Sequence, residues 1–221
     1  MDDKPMTEIK KYHKFITHNF GDRHRFGITF EMCETREGYI GRYLRGSICY
    51  WFFGSQIGDM AYGVSLACEG LGEIENVLKK SAHRCVACPR IFDTDGRLII
   101  DVMNEDMEVD EEDREENPLG FISTFDFWFN DHNITLNLDV MEDHLLLFFE
   151  NETQSRIIWV LLSEDKEKYV YHKEFFLEKG EFDNVLEEAR KWLRMEFEKE
   201  LALDSPDDWW NQSQWHTPER Q

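Results

Sequence analysis

A cysteine pair near the middle of the chain has the spacing of a zinc knuckle. Cys85 and Cys88 form a Cys-x-x-Cys motif, and His83 lies two residues before it. Such a motif can hold two thiolates on one Zn²⁺, but a structural zinc site needs four ligands. The sequence has no second pair of this kind, and the other three cysteines occur singly. We therefore predict no metal site and interpret the pair as small residues at a junction between a helix and a strand.

A second candidate for metal chemistry is the segment around Asp93, Asp95 and Gly96, which has part of the pattern of a calcium loop. An EF-hand with Gly96 at its sixth position would need oxygen ligands at Ile91 and Val102. Both side chains lack oxygen, so we predict a tight turn between two strands.

No common catalytic motif is present. The sequence contains no Gly-x-Ser-x-Gly, no glycine-rich phosphate-binding motif and no His-Glu-x-x-His. The chain has 46 Asp and Glu residues, but the sequence gives none of them the apolar setting that singles out a catalytic carboxylate. We predict that the protein is not an enzyme and has no cofactor, and we keep an unusual carboxylate enzyme as the third alternative.

The most unusual segment is acidic. Residues 101–116 contain ten Asp and Glu residues against a single Arg, and we predict an exposed loop. Such a run is either a solvated surface or a field that attracts a basic partner, and composition leaves both open. The partner-binding residues that we predict here are Asp106, Glu108, Asp110, Glu111, Glu112, Asp113, Glu115 and Glu116.

Charge is distributed unevenly along the 221 residues. The formal net charge is -21, yet residues 1–100 hold 14 Lys and Arg against 13 Asp and Glu, while residues 101–221 hold 11 against 33. This balance excludes direct binding to nucleic acid or to an anionic membrane as a general property. The chain shows neither a membrane-spanning apolar run nor the apolar core of a signal peptide, so we expect a cytoplasmic protein with reduced thiols.

Hydrophobic spacing predicts the elements that hold these residues in place. Apolar residues at helical spacing predict a short helix within residues 1–22, a second helix at residues 65–80 and a long C-terminal helix at residues 182–202. Aromatic and β-branched runs predict strands. The predicted strands are residues 26–32, 46–54, 90–92, 97–102, 121–129, 134–140, 145–149 and 156–162.

This pattern predicts an α+β fold, with a mostly antiparallel β-sheet and two packed helices, the longer one C-terminal. The predicted domain organisation is an N-terminal helical arm at residues 1–22, one α+β domain at residues 23–203, and a polar tail at residues 204–221. The tail contains Trp209, Trp210 and Trp215, and it is either disordered or a docking segment.

A segment rich in glycine and aromatic residues carries a family resemblance. It contains Arg25-Phe26-Gly27-Ile28-Thr29-Phe30-Glu31, then Leu44-Arg45-Gly46-Ser47-Ile48-Cys49-Tyr50-Trp51-Phe52-Phe53-Gly54-Ser55-Gln56-Ile57-Gly58-Asp59, then Gly63-Val64-Ser65-Leu66. With the later Ser155-Arg156-Ile157-Ile158-Trp159 block and residues 177–192, it resembles the immunity protein 42 family of bacterial polymorphic-toxin systems. The N-terminal arm, the acidic stretch and the tryptophan-rich tail depart from that pattern. Within the block, we predict that Asp59 caps a turn by accepting backbone N–H bonds.

The resemblance implies a cytoplasmic bacterial protein of contact-dependent competition. Such a protein binds the toxin domain encoded beside it and neutralises it by stoichiometric occlusion, without catalysis. The acidic half favours a basic toxin domain, such as a nuclease. The alternative function is an acidic nucleic-acid mimic that inhibits a DNA- or RNA-binding enzyme, which would bind several partners instead of one. The oligomeric state is left open.

Overall fold

Two antiparallel β-sheets and four α-helices are present in the part of the chain that the structure describes. The computed structural model describes residues 15–33, 45–61, 63–84, 90–109, 116–120, 124, 126–163 and 168–203. The acidic residues 110–115, the pair Cys85 and Cys88, and the tail at residues 204–221 lie outside the described residues. The predicted α+β class, with antiparallel sheets and the longest helix C-terminal, is confirmed.

The first sheet is built from the glycine- and aromatic-rich block. Its strands are β1 (Phe15–Gly21), β2 (Phe26–Cys33), β3 (Arg45–Phe52), β4 (Ser55–Ile57) and β5 (Val64–Ser65). The order is β1-β2-β3-β4, and β5 pairs with β3. Phe26, Ile28 and Phe30 alternate with small or polar residues along β2, so that alternate side chains enter the core.

The second sheet consists of β6 (His144–Glu150), β7 (Gln154–Leu162) and β8 (Tyr169–Glu178), in that order. Both of its faces are buried. Leu146, Phe148 and Ile157 face a core shared with the first sheet, and Leu147 and Ile158 face a second core. This two-sided burial explains why β6 and β7 are almost continuously apolar in sequence.

The helices pack on these sheets. They are α1 (Leu71–Lys79), α2 (Arg90–Asp93), α3 (Gly96–Glu108) and α4 (Glu181–Leu203). A π-helical turn, Leu66–Gly70, leads directly into α1. The core-facing stripe of α4 matches the predicted apolar spacing, and its buried members are Phe182, Val185, Leu186, Ala189 and Leu193.

The strands predicted at residues 90–92 and 97–102 are wrong, because both segments are helical. Asp95 has an extended backbone, and its Oδ1 accepts a hydrogen bond from the Arg97 N–H at 2.8 Å, which makes it the N-cap of α3. Asp93 and Gly96 therefore belong to a helix-to-helix junction and not to a hairpin turn. The acidic stretch, predicted as an exposed loop from residue 101, is helical up to Glu108.

Two further predicted strands are also wrong. Residues 126–129 of the predicted strand 121–129 belong to a π-helical turn, Asp126–Asp131. Residues 134–140 run beside β6 without forming a strand, and 3-10 helix Asp139–Met141 ends the segment. Ile134 N donates to Leu146 O at 2.9 Å, and just before this segment Phe148 N of β6 donates to His132 O at 2.8 Å.

The N-terminal prediction also needs correction. Phe15–Gly21, predicted as the end of a helical arm, is strand β1 and pairs with β2 from Phe15↔Cys33 to Gly21↔Gly27. Pairing satisfies the β1 backbone and lets His18 and Phe20 reach Trp192 of α4, at 4.3 and 5.5 Å between ring centroids. Residues 1–14 lie outside the described residues. The division into arm, domain and tail stays a prediction.

Candidate functional site

One exposed side of α3 carries a row of carboxylates. Asp101, Glu105 and Glu108 are four and three residues apart, which places them on the same side of a helix. All three are exposed, and we call them the α3 acidic face. The opposite side of α3 is anchored in the second core through Ile99, Ile100, Val102 and Met103.

The carboxylates of the α3 acidic face have no cationic neighbour in ion-pair contact within the described part of the chain. Helix α4 differs, because Glu187 pairs with Arg190 at 2.7 Å and Glu196 pairs with Lys199 at 2.5 Å. Unpaired charges on a rigid helix project a stronger field than charges that a neighbouring cation cancels. This face is therefore suited to meeting a basic surface.

Two polar anchors fix α3 against the edge of the second sheet. The Asn104 amide nitrogen donates to the Tyr169 carbonyl at 2.8 Å, and the Tyr169 N–H donates to Asn104 Oδ1 at 3.1 Å. At the other end of the helix, the Arg97 guanidinium lies 5.6 Å from the centre of the Tyr171 ring. Both tyrosines belong to β8, so the acidic face has a fixed position relative to that strand.

The predicted partner-binding residues separate into three groups. Asp106 is half-buried, and its Oδ2 accepts hydrogen bonds from Trp128 Nε1 at 3.1 Å and Asn117 Nδ2 at 3.4 Å. Through these bonds Asp106 holds the π-helical turn against α3, which is a structural role. Glu108 and Glu116 are exposed. The remaining predicted residues lie outside the described residues, namely Asp110, Glu111, Glu112, Asp113 and Glu115.

Sequence reasoning missed Asp101 and Glu105 as members of this face. The signal was present, since Asp101, Glu105 and Glu108 follow the i, i+4, i+7 spacing of one helix side. The predicted strand followed by a loop places these three residues on no common face. Leu98 and Val109, at 47% and 40% exposure, add apolar area beside the carboxylates.

Histidine and cysteine chemistry has little support in the described residues. They contain no group of three or more His, Cys, Asp or Glu side chains placed to hold a metal ion. Burial lowers the pKa of His132 to about 4, and its Nδ1–H donates to the Phe148 carbonyl at 2.8 Å. Burial also raises the pKa of the Cys49 thiol to about 12. Both groups are therefore uncharged at neutral pH, as expected of core residues.

Comparison with known proteins decides the family. The family model described as immunity protein 42 matches residues 15–192. The chain belongs to the immunity protein 42 family. The match runs from the first residue of β1 into α4, so it includes both sheets and the α3 acidic face. Membership assigns this chain to the toxin-neutralising immunity proteins.

A solved structure shares the fold of this immunity protein 42 family member. The crystal structure of CdiI from Burkholderia dolosa AUO158 superposes with a TM-score of 0.53 and 15% sequence identity, over 78% of this chain and 97% of that chain. No curated protein sequence matches the chain. No helix among the described residues is long and apolar enough to cross a membrane.

The block that carried the family resemblance builds the first sheet. A Cβ atom on Gly46 would collide with the Glu31 carbonyl oxygen of the neighbouring strand, so the close strand pairing there requires glycine. The predicted turn cap is confirmed, because Asp59 Oδ1 accepts the Ala61 N–H at 2.7 Å. The fold depends on these residues, whereas the carboxylates of the α3 acidic face lie outside the block.

Proposed function

We propose that this chain neutralises one cognate toxin domain by binding it stoichiometrically and covering a basic surface of it. The α3 acidic face supports the proposal most directly, because it combines exposure, rigid anchoring and carboxylates that form no ion pair with any described residue. A nuclease fits this surface best among toxin classes, since enzymes that bind nucleic acid carry basic substrate grooves. Occlusion of such a groove requires no catalysis by the immunity protein.

In this proposal, charge and apolar contact area affect different properties of the complex. The C-terminal 121 residues hold 33 Asp and Glu against 11 Lys and Arg, so long-range attraction speeds the encounter with a basic toxin. Apolar neighbours such as Leu98 and Val109 supply area that excludes water once contact is made. The carboxylates therefore control association rate and specificity more than the lifetime of the complex.

The test is a charge reversal on α3. We expect Asp101→Lys, Glu105→Lys and Glu108→Lys together to lower the association rate with a catalytically inactive toxin domain about tenfold in low salt, and less in high salt. Stopped-flow mixing at several salt concentrations measures this rate. The matched control reverses Glu152, Glu188 and Glu198, which are exposed at other places and change the net charge equally. Equal losses for both triple variants would remove the α3 acidic face from the interface.

The adjoining acidic residues extend the same test. Reversal of Glu111, Glu112 and Asp113 to Lys is expected to cause a further salt-sensitive loss of association rate. An unchanged rate would remove Glu111, Glu112 and Asp113 from the interface.

The nucleic-acid mimic makes a different prediction from the same charges. A mimic inhibits several unrelated basic enzymes with similar affinity, whereas an immunity protein binds one toxin domain and leaves the others active. A panel of basic nucleases measured beside the cognate toxin domain separates the two functions.

A further inference from the structure

The turn between β3 and β4 holds a bulky side chain in an unfavourable backbone conformation. Phe52 pairs with Ser55, so Phe53 and Gly54 form a two-residue turn with φ values of +48° and +79°. Positive φ at both positions is typical of Asn-Gly turns. Phe53 is the one non-glycine residue with positive φ in the described part of the chain. Phenylalanine at this position is therefore unusual for the turn type.

The Phe53 side chain is both exposed and fixed. It is 46% exposed, and its ring stacks on Phe175 of β8 with 5.9 Å between centroids and 2° between planes. The backbone is fixed as well, since Phe53 N donates to Arg25 O at 2.9 Å and Gly54 N donates to Arg23 O at 2.8 Å. The turns β1–β2 and β3–β4 thus form one rigid unit.

Arg23 on the first of these turns is held in a network of its own. Its guanidinium lies 4.6 Å from the centre of the Trp51 ring, and its Nη2 donates to Thr29 Oγ1 at 3.2 Å. Its Nε donates to Asn19 Oδ1 at 3.1 Å, and Trp51 Nε1 donates to Thr29 Oγ1 at 2.9 Å. The remaining nitrogen, Nη1, makes no hydrogen bond within the described residues, and Arg23 is an exposed residue, so this donor is left for a partner.

We propose that Arg23, Trp51 and Phe53, here called the hairpin tip, form an anchor for the cognate toxin domain. Phe53 would enter an apolar pocket of the toxin, and Arg23 would donate to a carboxylate beside that pocket. This inference rests on the proposed function and adds to it a second contact of different chemistry. Aromatic and arginine side chains carry much of the binding energy of protein interfaces, and anchors fixed before binding lose little entropy. Strain retained at an exposed turn is consistent with such a role.

The hairpin tip and the α3 acidic face are on opposite sides of the second sheet. Phe175, which stacks on Phe53, belongs to the core shared with the first sheet, whereas Tyr171, beside Arg97 of α3, packs against the second core. The hairpin tip is therefore a contact surface separate from the α3 acidic face, and its contribution to affinity can be tested independently.

The decisive variant is Phe53→Asn. Asparagine followed by glycine suits this turn, so we expect the variant to fold while its affinity for an inactive form of the toxin domain encoded beside this gene falls at least about tenfold. Titration calorimetry measures the affinity, and circular dichroism confirms folding. The matched control is Met195→Gln, which removes a similarly exposed apolar side chain, at 51% exposure, from α4 and is expected to leave the affinity unchanged.

The outcomes separate this inference from the proposed function. If the wild-type protein binds the toxin domain and Phe53→Asn binds it with the same affinity, the hairpin tip is not an anchor, and the proposed function stands. A wild-type protein that does not bind the toxin domain would overturn both. If Phe53→Asn instead turns a dimer into a monomer at unchanged toxin affinity, the tip contacts a second copy and the proposal is wrong. Phe53→Gly, which this turn also accommodates, repeats the test should the asparagine variant not fold.

Discussion

The guanidinium of Arg84 lies against the carboxylate of Asp183, with 2.6 Å between Nη1 and Oδ1. Arg84 is 1% exposed and also donates through Nη2 to the Val77 carbonyl at the end of α1. The rings of Phe148 and Phe182 pack on the guanidinium, at 4.9 and 5.3 Å from their centroids. This buried cation therefore contacts α1, the second sheet and α4 at once, and it stabilises their packing around the core that the two sheets share.

Removing the charge of Asp183 should leave Arg84 buried without a counter-charge. We expect Asp183→Asn to lower the free energy of unfolding by about 3 kcal/mol, at the lower end for a broken buried pair because Asp183 is 29% exposed. Urea denaturation measures the loss. The control is Glu187→Gln, which breaks the partly exposed pair with Arg190 on the same helix and should cost no more than about 0.5 kcal/mol, because neither partner is fully buried as Arg84 is. Similar losses in the two variants would contradict this role of Arg84.

A second buried arginine should determine the stability of the α2–α3 corner. Arg156 Nη1 donates to the carbonyls of Ile91 and Thr94, and its Nε donates to Glu174 at 2.8 Å. A lysine ammonium cannot reach all of these acceptors, so we expect Arg156→Lys to lower the free energy of unfolding by about 2–4 kcal/mol.

Hydrogen exchange locates this effect. The amides of α2 and α3 should exchange faster in Arg156→Lys, while those of β2 and β3 keep their relative protection. Arg194→Lys is the control, because Arg194 of α4 is exposed and forms its ion pair with Glu75 of α1, outside the α2–α3 corner. Unchanged exchange in α3 would show that Arg156 does not hold this corner.

Strong periodicity made several elements predictable from sequence. The apolar stripe of α4 and the alternation along β2 each reflect burial of one side, which a pattern of single residues records directly. The two runs that became β6 and β7 were also recognised, since buried strands need apolar residues on both faces. In these elements local pattern and tertiary packing agree.

The errors lie where packing or capping overrides local preference. Residues 97–102 are rich in isoleucine and valine and favour a strand by propensity, but the Asp95 cap and the second core make them helical. The face formed by Asp101, Glu105 and Glu108 became recognisable only with that helix. The sequence does not distinguish Phe53 from the core aromatic residues beside it. Its special features are a positive φ angle and stacking on Phe175, which is distant in sequence, and a residue pattern records neither.

Acidic pH should destabilise the fold through His132. Its pKa is about 4 in the folded protein, below the ordinary value of 6.5, because burial disfavours the charged ring. The unfolded chain therefore binds more protons between these values, and the stability contributed by His132 is lost as pH falls from about 6.5 to about 4. The loss in this window is about 2–3 kcal/mol.

Comparison with His132→Asn separates the pH-dependent stability contributed by His132 from that contributed by the many carboxylates, which titrate in both proteins. Asparagine can keep the donor to the Phe148 carbonyl but cannot titrate. We expect the wild-type protein to be the more stable one at pH 7, and its advantage to shrink by about 2–3 kcal/mol at pH 4.5, as measured by urea denaturation at both pH values. An advantage of equal size at both pH values would show that His132 does not titrate in this window.

The most direct test of the central claim is a rescue assay. The toxin domain encoded beside this gene is expressed in susceptible cells with this protein, with an unrelated acidic protein of similar charge, or alone. We predict that growth is restored by this chain and not by the acidic control, and that purified toxin and immunity protein form a one-to-one complex. Continued toxicity in cells that contain the folded protein would contradict the account.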